Sequence, residues 1–367
     1  MRKRLNIVIV STFGGSSLNI GDNLITLATI RAIRKLLGSN VDFKVIFRAE
    51  NSGRAIQEFK NADYIVFACL AIRRKLLDIY SVIPAVIESG KPFGVLAAGT
   101  SLNVSSSKLL FDNSLESCDE KLLRELCSKA EFFTTRGKLT QEFCEHIGLQ
   151  KAIFVGDIAF ERWRFRWRFF KNINKVTRIA ISDPHYEDKY KKSLAHLIDR
   201  VKYIFPNAEV EMLLHGVNKL SGRIAQKRNL HVRKIYLDRS EGLDIYDKYD
   251  MHVGYRIHGH VSALSRGKPS YLLEQDGRGC DYGLSLFRKI STPHYRPMKS
   301  DDLSQAPTTP VDILLCMILA DQRSNFSKFS GIEKEMLCFS KGNHKVLLSA
   351  LSAKMRITEK IRWLLTW

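Results

Sequence analysis

The sequence contains few cysteines, few prolines and no long apolar run, and each shortage excludes a class of protein. Its 7 cysteines are scattered through 367 residues without a C-x-x-C pair. This pattern argues against a disulfide framework and a zinc cluster, and it favours a reducing, cytoplasmic compartment. Only 9 prolines exclude a collagen-like or proline-rich chain. No stretch approaches about 18 uninterrupted apolar residues, so no membrane-spanning helix is predicted.

Acidic residues are also in short supply. The chain has 58 Lys and Arg against 38 Asp and Glu, which gives a formal net charge of +20 and a pI near 9.7. Such an excess favours an anionic partner: nucleic acid, an acidic membrane face, a phosphorylated substrate or an acidic polysaccharide. A basic surface that only solubilises the protein is the alternative. The hydrophobic fraction of 45% is ordinary for a globular protein with ample core.

Short apolar strands alternate with amphipathic helices in both halves of the chain. In the first half, strands are predicted at residues 5–10, 41–47, 62–68, 92–98, 132–135 and 152–155, and helices at 24–37, 70–88, 120–130 and 139–147. The second half repeats the pattern, with strands at 178–182, 208–214, 231–237, 251–254 and 270–273 and helices at 194–205 and 261–266. This alternation predicts two Rossmann-like α/β domains facing a central cleft, with C-terminal helices. The predicted boundaries are 1–160, a linker at 161–175, 176–310, and a C-terminal helical segment with a basic tail at 311–367.

Two basic segments have more than one interpretation. In residues 162–170, four arginines alternate with aromatic residues. Extended, the segment either packs its aromatics as an inter-domain linker or presents a basic-aromatic patch to acidic glycan or membrane headgroups. The tail from Lys354 to Trp367 has the pattern of an amphipathic helix, either packed on the protein or lying on a membrane surface.

The first candidate site is the turn at residues 14–23, Gly-Gly-Ser-Ser-Leu-Asn-Ile-Gly-Asp-Asn, between the first strand and the first helix. Free backbone N–H groups and the helix dipole favour an anion or a sugar hydroxyl there. The pattern matches neither the dinucleotide fingerprint nor the P-loop. Asp22 and Asn23 are equally suited to capping the helix.

The second candidate site is Arg256 with His258, at a predicted strand-to-helix turn. In an extended stretch both side chains would point into the cleft. A guanidinium binds carboxylate or phosphate in bidentate fashion, and an imidazole exchanges a proton near neutral pH. A structural histidine is the alternative for His258, and His260 is interpreted as structural.

The third candidate is the loop at residues 274–279, which leaves the next strand toward the same cleft and carries Arg278. This loop either brings a second arginine to an anion or forms a simple Asp-Gly turn.

Together these residues resemble the polysaccharide pyruvyl transferase family. The matching motifs are Asn19-Ile20-Gly21-Asp22, Arg136-Gly137-Lys138-Leu139-Thr140 with Gly148, Gly156-Asp157-Ile158-Ala159, and Arg256-Ile257-His258-Gly259 followed by Ala263-Leu264 and Gly267-Lys268-Pro269. The last motif is the most specific, and the resemblance covers roughly residues 6–285. Two departures stand out: Ala68-Cys69-Leu70-Ala71 replaces a Gly-Gly-Gly turn, and Gly137 replaces an acidic residue.

The resemblance implies a GT-B-like fold, phosphoenolpyruvate as donor and a pair of sugar hydroxyls as acceptor. It makes His258 the expected general acid or phosphate contact and Asp22 the expected base or hydroxyl orienter. Phosphoenolpyruvate would be held by Arg256 and Arg278. Asn19, Gly21 and Arg136 complete the expected substrate-binding set, and neither a metal nor a cofactor is expected. His215, at the end of the strand predicted at 208–214, could also reach the cleft, and a structural histidine is the alternative for it.

The sequence therefore predicts a cytoplasmic transferase that pyruvylates a cell-surface glycan or its lipid-linked precursor. A peripheral contact with the anionic inner face of the membrane is compatible with the charge, and no nucleic acid is expected. Two alternatives stay open: a nucleotide-sugar glycosyltransferase that binds a nucleoside diphosphate at residues 274–278, and a non-catalytic polyanion-binding protein on the same fold.

Overall fold

The computed structural model describes residues 4–14, 20–50, 52–100, 102, 104, 111, 115–161, 175–238, 242–294 and 305–351. These residues form two α/β halves, each built on a parallel sheet. The basic-aromatic segment at 162–170 and the tail at 354–367 lie outside the described residues, so the interpretations of both stay predictions. So do the predicted domain boundaries.

Within the described residues, the first sheet has seven parallel strands: β1 (Leu5–Ser11), β2 (Val41–Phe47), β3 (Tyr64–Phe67), β4 (Ala71–Ile72), β5 (Phe93–Thr100), β6 (Phe132–Thr135) and β7 (Ala152–Phe154). Their order is β2-β1-β3-β5-β6-β7, and β4 pairs with the end of β5. The helices of this half are α1 (Ile20–Leu37), α2 (Gly53–Asn61), α3 (Leu76–Ile79), α4 (Ile83–Glu88), α5 (Ser117–Lys129) and α6 (Lys138–His146), followed by a 3-10 helix at Ile158–Phe160.

The second sheet, counted over the same part of the chain, has six parallel strands: β8 (Arg178–Ser182), β9 (Glu209–Leu214), β10 (His231–Lys234), β11 (Met251–Gly254), β12 (Ser270–Glu274) and β13 (Ser291–Pro293). Their order is β10-β9-β8-β11-β12-β13. The helices are α7 (Glu187–Ile204), α8 (Lys219–Gln226), α9 (Ile257–Ser265), α10 (Gly277–Ser285), α11 (Thr309–Arg323) and α12 (Phe329–Leu351).

The first strand shows why the chain folds into layers. Ile7 and Ile9 are fully buried in one hydrophobic core, and Val8 is fully buried in the other, with Val10 beside it. Because strand side chains alternate between faces, a continuous apolar run covers both sides of a parallel sheet. The core that contains Ile7 and Ile9 continues into the second half of the chain, so the two halves share buried surface.

The two halves are also joined by a buried ion cluster. Glu161, at the end of the first half, forms an ion pair with Lys35 of α1 and accepts a hydrogen bond from Ser340 of α12 at 2.8 Å. It also lies 3.0 Å from His344 of α12. Burial alone would raise the pKa of Glu161, but His344 and Lys35 together lower it to about 2. The carboxylate therefore fixes α12 against the first half.

The helix predicted over residues 70–88 is wrong. Residues 71–72 are instead β4, and α3 and α4 follow as two short helices. Lys75 adopts a left-handed conformation with φ of 54°, which stops a continuous helix, and Pro84 favours a new helix start. The buried hydroxyl of Tyr80 accepts the N–H of Ala71 at 2.8 Å and holds this irregular segment against the sheet. No helix of the described residues is long and apolar enough to cross a bilayer.

Candidate active site

The strands of both sheets end at one cavity of about 200 Å³ between the two halves. Its lining residues almost all stand at or just after the carboxyl end of a strand: Thr12 after β1, Arg48 after β2, Cys69 after β3, Thr100 in β5, Arg136 after β6, His215 after β9, Arg256 after β11 and Asp276 after β12. Ligands of open parallel sheets bind at this edge. The cavity therefore occupies the place that the sequence predicts for the cleft.

His258 projects from the first turn of α9 and packs on Gly21 of α1. A Cβ atom built on Gly21 would stand 1.6 Å from Nδ1 of His258, so only glycine leaves room for the imidazole. Gly21, from the first candidate site, and His258, from the second, thus meet across the cleft. Arg256 and His258 both line the cavity, but the extended stretch predicted for them is wrong, because α9 already begins at Ile257 and Arg256 is its N-cap residue.

The imidazole of His258 is neutral in this cavity. Its burial, together with the positive charges of Arg136, Arg278 and Arg256, lowers the pKa of His258 to about 3. Its Nε2 atom is buried and has no hydrogen-bond partner among the described residues. A ligand that forms a hydrogen bond with such a buried polar atom removes the free-energy cost of leaving it without a partner.

Arg256 lines the cavity, but most of its guanidinium is bound to the protein. Nη2 donates to Oδ2 of Asp183 at 2.7 Å, and Nε donates to Oδ1 of the same carboxylate at 3.1 Å. The Asp183 side chain is fully buried. Arg256 therefore presents mainly Nη1, which lies 3.4 Å from Nδ1 of His185, to a ligand.

Arg278 is paired in a similar way. Its Nη2 donates to Oδ2 of Asp276 at 2.6 Å, while Oδ1 of Asp276 accepts the backbone N–H of Arg278 and of Gly279. Asp276 is therefore the N-cap residue of α10, and the alternative of a simple Asp-Gly turn at residues 274–279 is wrong.

Arg136 differs from these two arginines. Its guanidinium packs against Gly99, where a Cβ atom would stand 2.2 Å from Nε. Within the described ranges, Arg136 forms no ion pair and its side chain makes no hydrogen bond. β5 bulges just before this point, where Ala97 adopts a φ of 50°. Bulges of this kind commonly redirect a strand beside an active site.

Three of the other predicted site residues are Asp22, His215 and Asn19. Asp22 lies in the first turn of α1 and lines the cavity. His215 also lines it, but its Nε2 is 2.7 Å from the hydroxyl of Tyr246, and burial lowers the pKa of His215 well below the usual range. Asn19 lies outside the described residues.

The lining residues that were not predicted include Arg48, Cys69 and Arg73. For Arg48 and Cys69 the signal was available, since each follows a strand that the sequence predicts, whereas Arg73 follows β4, which lies in the segment predicted as a helix. Burial raises the pKa of Cys69 to about 11, so its thiol is protonated at neutral pH. Arg48 and Arg73 add positive charge to the wall that the first half contributes.

The departure at Gly137 has a structural reason. A Cβ atom on Gly137 would stand 2.1 Å from the carboxylate of Asp281, which comes from α10 in the other half. That carboxylate accepts the N–H of Leu139 at 2.9 Å and the hydroxyl of Thr140 at 2.6 Å. Asp281 thus caps α6 from across the cleft and ties Arg136, which directly precedes α6, to the helix that carries Arg278.

Glu274 does not face the cavity as a nucleotide ligand would require. Its carboxylate accepts a hydrogen bond from Ser291 at 2.7 Å and pairs with Arg288. Burial is the main reason why the pKa of Glu274 is raised to about 7. Across the described ranges, there is also no group of three or more His, Cys, Asp or Glu side chains arranged to hold a metal ion.

Comparison with known families decides the membership of the chain. The model of the family described as "Polysaccharide pyruvyl transferase" matches residues 19–277, which include Gly21, Arg136 and His258. The chain belongs to the polysaccharide pyruvyl transferase family. Membership in this transferase family implies a pyruvyl donor and a sugar acceptor. A search of curated proteins finds no match.

The fold of this pyruvyl transferase family member is similar to that of several solved structures. A protein of Listeria monocytogenes assigned as UDP-N-acetylglucosamine 2-epimerase aligns with a TM-score of 0.56 and 9% identity, covering 96% of each chain. The UDP-GlcNAc 2-epimerase of Neisseria meningitidis, solved with UDP-GlcNAc, aligns with a TM-score of 0.54 and 11% identity, covering 96% of this chain and 100% of that one. At such identities the likeness concerns the fold alone, and it confirms the predicted GT-B-like class.

Proposed function

We propose that the protein transfers the pyruvyl group of phosphoenolpyruvate to two hydroxyls of a sugar and forms a cyclic ketal. The acceptor sugar belongs to a cell-surface polysaccharide or its precursor. The observation that carries this proposal is that Arg136, which makes no ion pair and no side-chain hydrogen bond among the described residues, lines one cavity with His258, whose Nε2 has no hydrogen-bond partner among them. Family membership supports the same assignment.

The donor presents two anionic groups on one carbon atom, a carboxylate and a phosphate ester. Arg136 can turn its guanidinium to one of them, because its side chain makes no ion pair and no hydrogen bond among the described residues. Arg278 and Nη1 of Arg256 supply further positive charge. Bidentate bonds from a guanidinium to carboxylate or phosphate are short and directional, so they orient the donor as well as bind it.

The reaction needs a proton donor, a leaving group and two nucleophiles. A proton adds to the methylene carbon of phosphoenolpyruvate, and C2 becomes electrophilic. One sugar hydroxyl attacks C2 and loses its proton, and the bond between C2 and the phosphate oxygen breaks. The second hydroxyl then closes the ketal and loses its proton. No oxidant or reductant is required, and inorganic phosphate is the second product.

We assign His258 to the leaving phosphate. Among the protein's own groups, its pKa of about 3 keeps it neutral. A bound phosphate next to Nε2 would neutralise the surrounding arginines and stabilise the imidazolium, so the donor itself raises the pKa of His258. The imidazolium can then give its proton to the departing phosphate. Asp22 is the proposed base that accepts a proton from the attacking hydroxyl.

The test is to incubate the protein with phosphoenolpyruvate and a panel of sugars, and to measure both phosphate release and pyruvylated sugar by mass spectrometry. His258→Asn should lower phosphate release by about 100-fold or more, since acid catalysis by a positioned side chain contributes about 10²- to 10⁴-fold. His146→Asn, the same change at an exposed site on α6, should leave it unchanged. Full activity in His258→Asn would exclude the assigned role.

A further inference from the structure

The pairing between β5 and β6 shifts by one residue just before the two strands reach the cavity. Val95 lies opposite Phe133, whereas Ala98 lies opposite Thr135. β5 therefore uses three residues where β6 uses two. The extra residue makes a β-bulge, and a bulge redirects the side chains that follow it.

The bulge decides which residue of β5 lies beside Arg136. Continued past the bulge, the shifted register puts Gly99 there, whereas the unshifted register would put Ala98 there. The N–H of Arg136 donates to the carbonyl of Ala98 at 2.9 Å, which continues the shifted register. A Cβ atom on Gly99 would stand 2.2 Å from Nε of Arg136. The bulge thus brings to this place the one type of residue that leaves room for the guanidinium.

The bulge contains Ala97, whose backbone conformation is strained. Its φ of 50° lies in the left-handed region, which is unfavourable for a residue that carries a Cβ atom. Strain of this kind persists only where the surrounding structure holds the residue in place. Because Ala97 is only 1% exposed, its backbone groups need partners from the protein.

Two side chains supply those partners. The N–H of Ala97 donates to Oγ1 of Thr134 at 2.8 Å, and the carbonyl of Ala97 accepts the thiol of Cys69 at 3.6 Å. The Thr134 hydroxyl in turn donates to the carbonyl of Val95 at 3.5 Å. Thr134 therefore joins β6 to the backbone of the bulge, and it lies two residues before Arg136 in the chain.

We propose that Thr134 is a positioning residue for the donor site, and that its hydroxyl holds the bulge that keeps Gly99 against the guanidinium of Arg136. The Thr134 side chain is fully buried and is not part of the cavity lining, so it acts through Arg136 and not on a substrate. The inference rests on the proposed function, in which Arg136 binds an anionic group of phosphoenolpyruvate.

The first test measures the Kd of phosphoenolpyruvate by calorimetry. Thr134→Val keeps the shape of the side chain but removes the acceptor of the Ala97 N–H. The Kd should rise by about 5- to 10-fold, because a displaced Arg136 loses part of its hydrogen bonding to the donor. Thr134→Ser keeps the hydroxyl and should restore the wild-type Kd.

Thr29→Val is the matched control. Thr29 is also fully buried, and its Oγ1 has no hydrogen-bond partner among the described residues. This variant should bind phosphoenolpyruvate as the wild type does. A weaker affinity in Thr134→Val is then not a general result of replacing a buried threonine by valine.

A double-mutant cycle separates positioning from a general loss of stability. In Arg136→Ala no guanidinium is left to position, so the addition of Thr134→Val should raise the Kd no further. A general structural defect would instead weaken binding by the same factor in both backgrounds.

Ala97→Gly provides a rescue. Glycine adopts the left-handed conformation without strain, so the bulge needs less support from Thr134. The double variant Ala97→Gly/Thr134→Val should therefore recover most of the affinity, and it replaces Thr134→Val in the cycle if that single variant does not fold.

Three results would overturn the positioning role: a wild-type Kd in Thr134→Val, equal losses of affinity with and without Arg136, or a Thr134→Ser variant that binds no better than Thr134→Val. Failure of phosphoenolpyruvate to bind the wild-type protein is a different outcome, and it would overturn the proposed function itself.

Discussion

Replacing Gly21 by alanine should impair the reaction far more than it impairs folding. The added Cβ would stand 1.6 Å from Nδ1 and 2.2 Å from Cγ of His258, so the imidazole has to leave its position. Gly21 lies in the first turn of α1, where alanine is the better helix former by about 1 kcal/mol. Overpacking costs about 1–3 kcal/mol. The net loss in free energy of unfolding should therefore stay below about 2 kcal/mol.

The catalytic effect is larger because it depends on position. A shift of the imidazole by about 1 Å costs roughly 100-fold in rate when the group must face a reacting atom. Phosphate release driven by phosphoenolpyruvate should fall by about that factor in Gly21→Ala. Urea unfolding, followed by far-UV circular dichroism, measures the stability of the same preparation.

Gly53→Ala is the matched control, because a Cβ atom at Gly53 meets nothing within 4 Å. It should leave both the rate and the unfolding midpoint near their wild-type values. Wild-type phosphate release in Gly21→Ala would refute the account of His258, since no rearrangement that keeps the imidazole in place can accommodate the extra carbon. A complete loss of folding would contradict the energies given above.

Three further changes test other parts of the structure. Asp281→Ala removes the cap of α6 and leaves two buried N–H groups without acceptors. The free energy of unfolding in urea should therefore fall by about 2 kcal/mol, and an unchanged unfolding midpoint would show that Asp281 does not cap the helix. Asp183→Asn takes the charge partner from Arg256 and should raise the KM for phosphoenolpyruvate as the guanidinium loses its orientation; an unaltered KM would show that this pair does not position the donor. His260 is buried with its folded-state pKa lowered to about 3, so the unfolded chain binds the proton first as pH falls below about 6.5, and stability falls with it. Between pH 7 and pH 5.5, His260 should lower the free energy of unfolding by about 1 kcal/mol. Urea titrations of the wild type and of His260→Gln at both pH values measure this difference.

The layered fold could be predicted from the sequence because its signals are local. The continuous apolar run of β1 and the helical spacing of α1 each depend on neighbouring residues, and their bounds differ from the predicted ones by a few positions at most. The helix predicted over residues 70–88 was wrong because the apolar residues of this segment do not follow a single helical or strand period. Its conformation is set by a buried hydroxyl, that of Tyr80, and by pairing with a strand more than twenty residues away.

The site was predictable only in part, because some of its contacts join residues that are far apart in the sequence. Arg256 and His258 could be found from their place after a strand. The partner of Arg256 could not, since Asp183 is 73 residues away in the chain. Likewise, only the folded arrangement shows that Asp281 occupies the space beside Gly137. Charge neutralisation between distant residues decides which arginines are left for a ligand, and no local pattern reports it.

A calorimetric titration of phosphoenolpyruvate into the wild-type protein, Arg136→Ala and the control Arg223→Ala shows whether the cavity binds the donor through Arg136. We expect saturable binding to the wild type and the control. Arg136→Ala should lower the affinity by about 10-fold or more, because Arg136 makes no ion pair among the described residues and its guanidinium is therefore placed to hold an anionic group of the donor. Equal affinity in all three proteins, or no binding to any, would contradict the claim that this cavity is a phosphoenolpyruvate site.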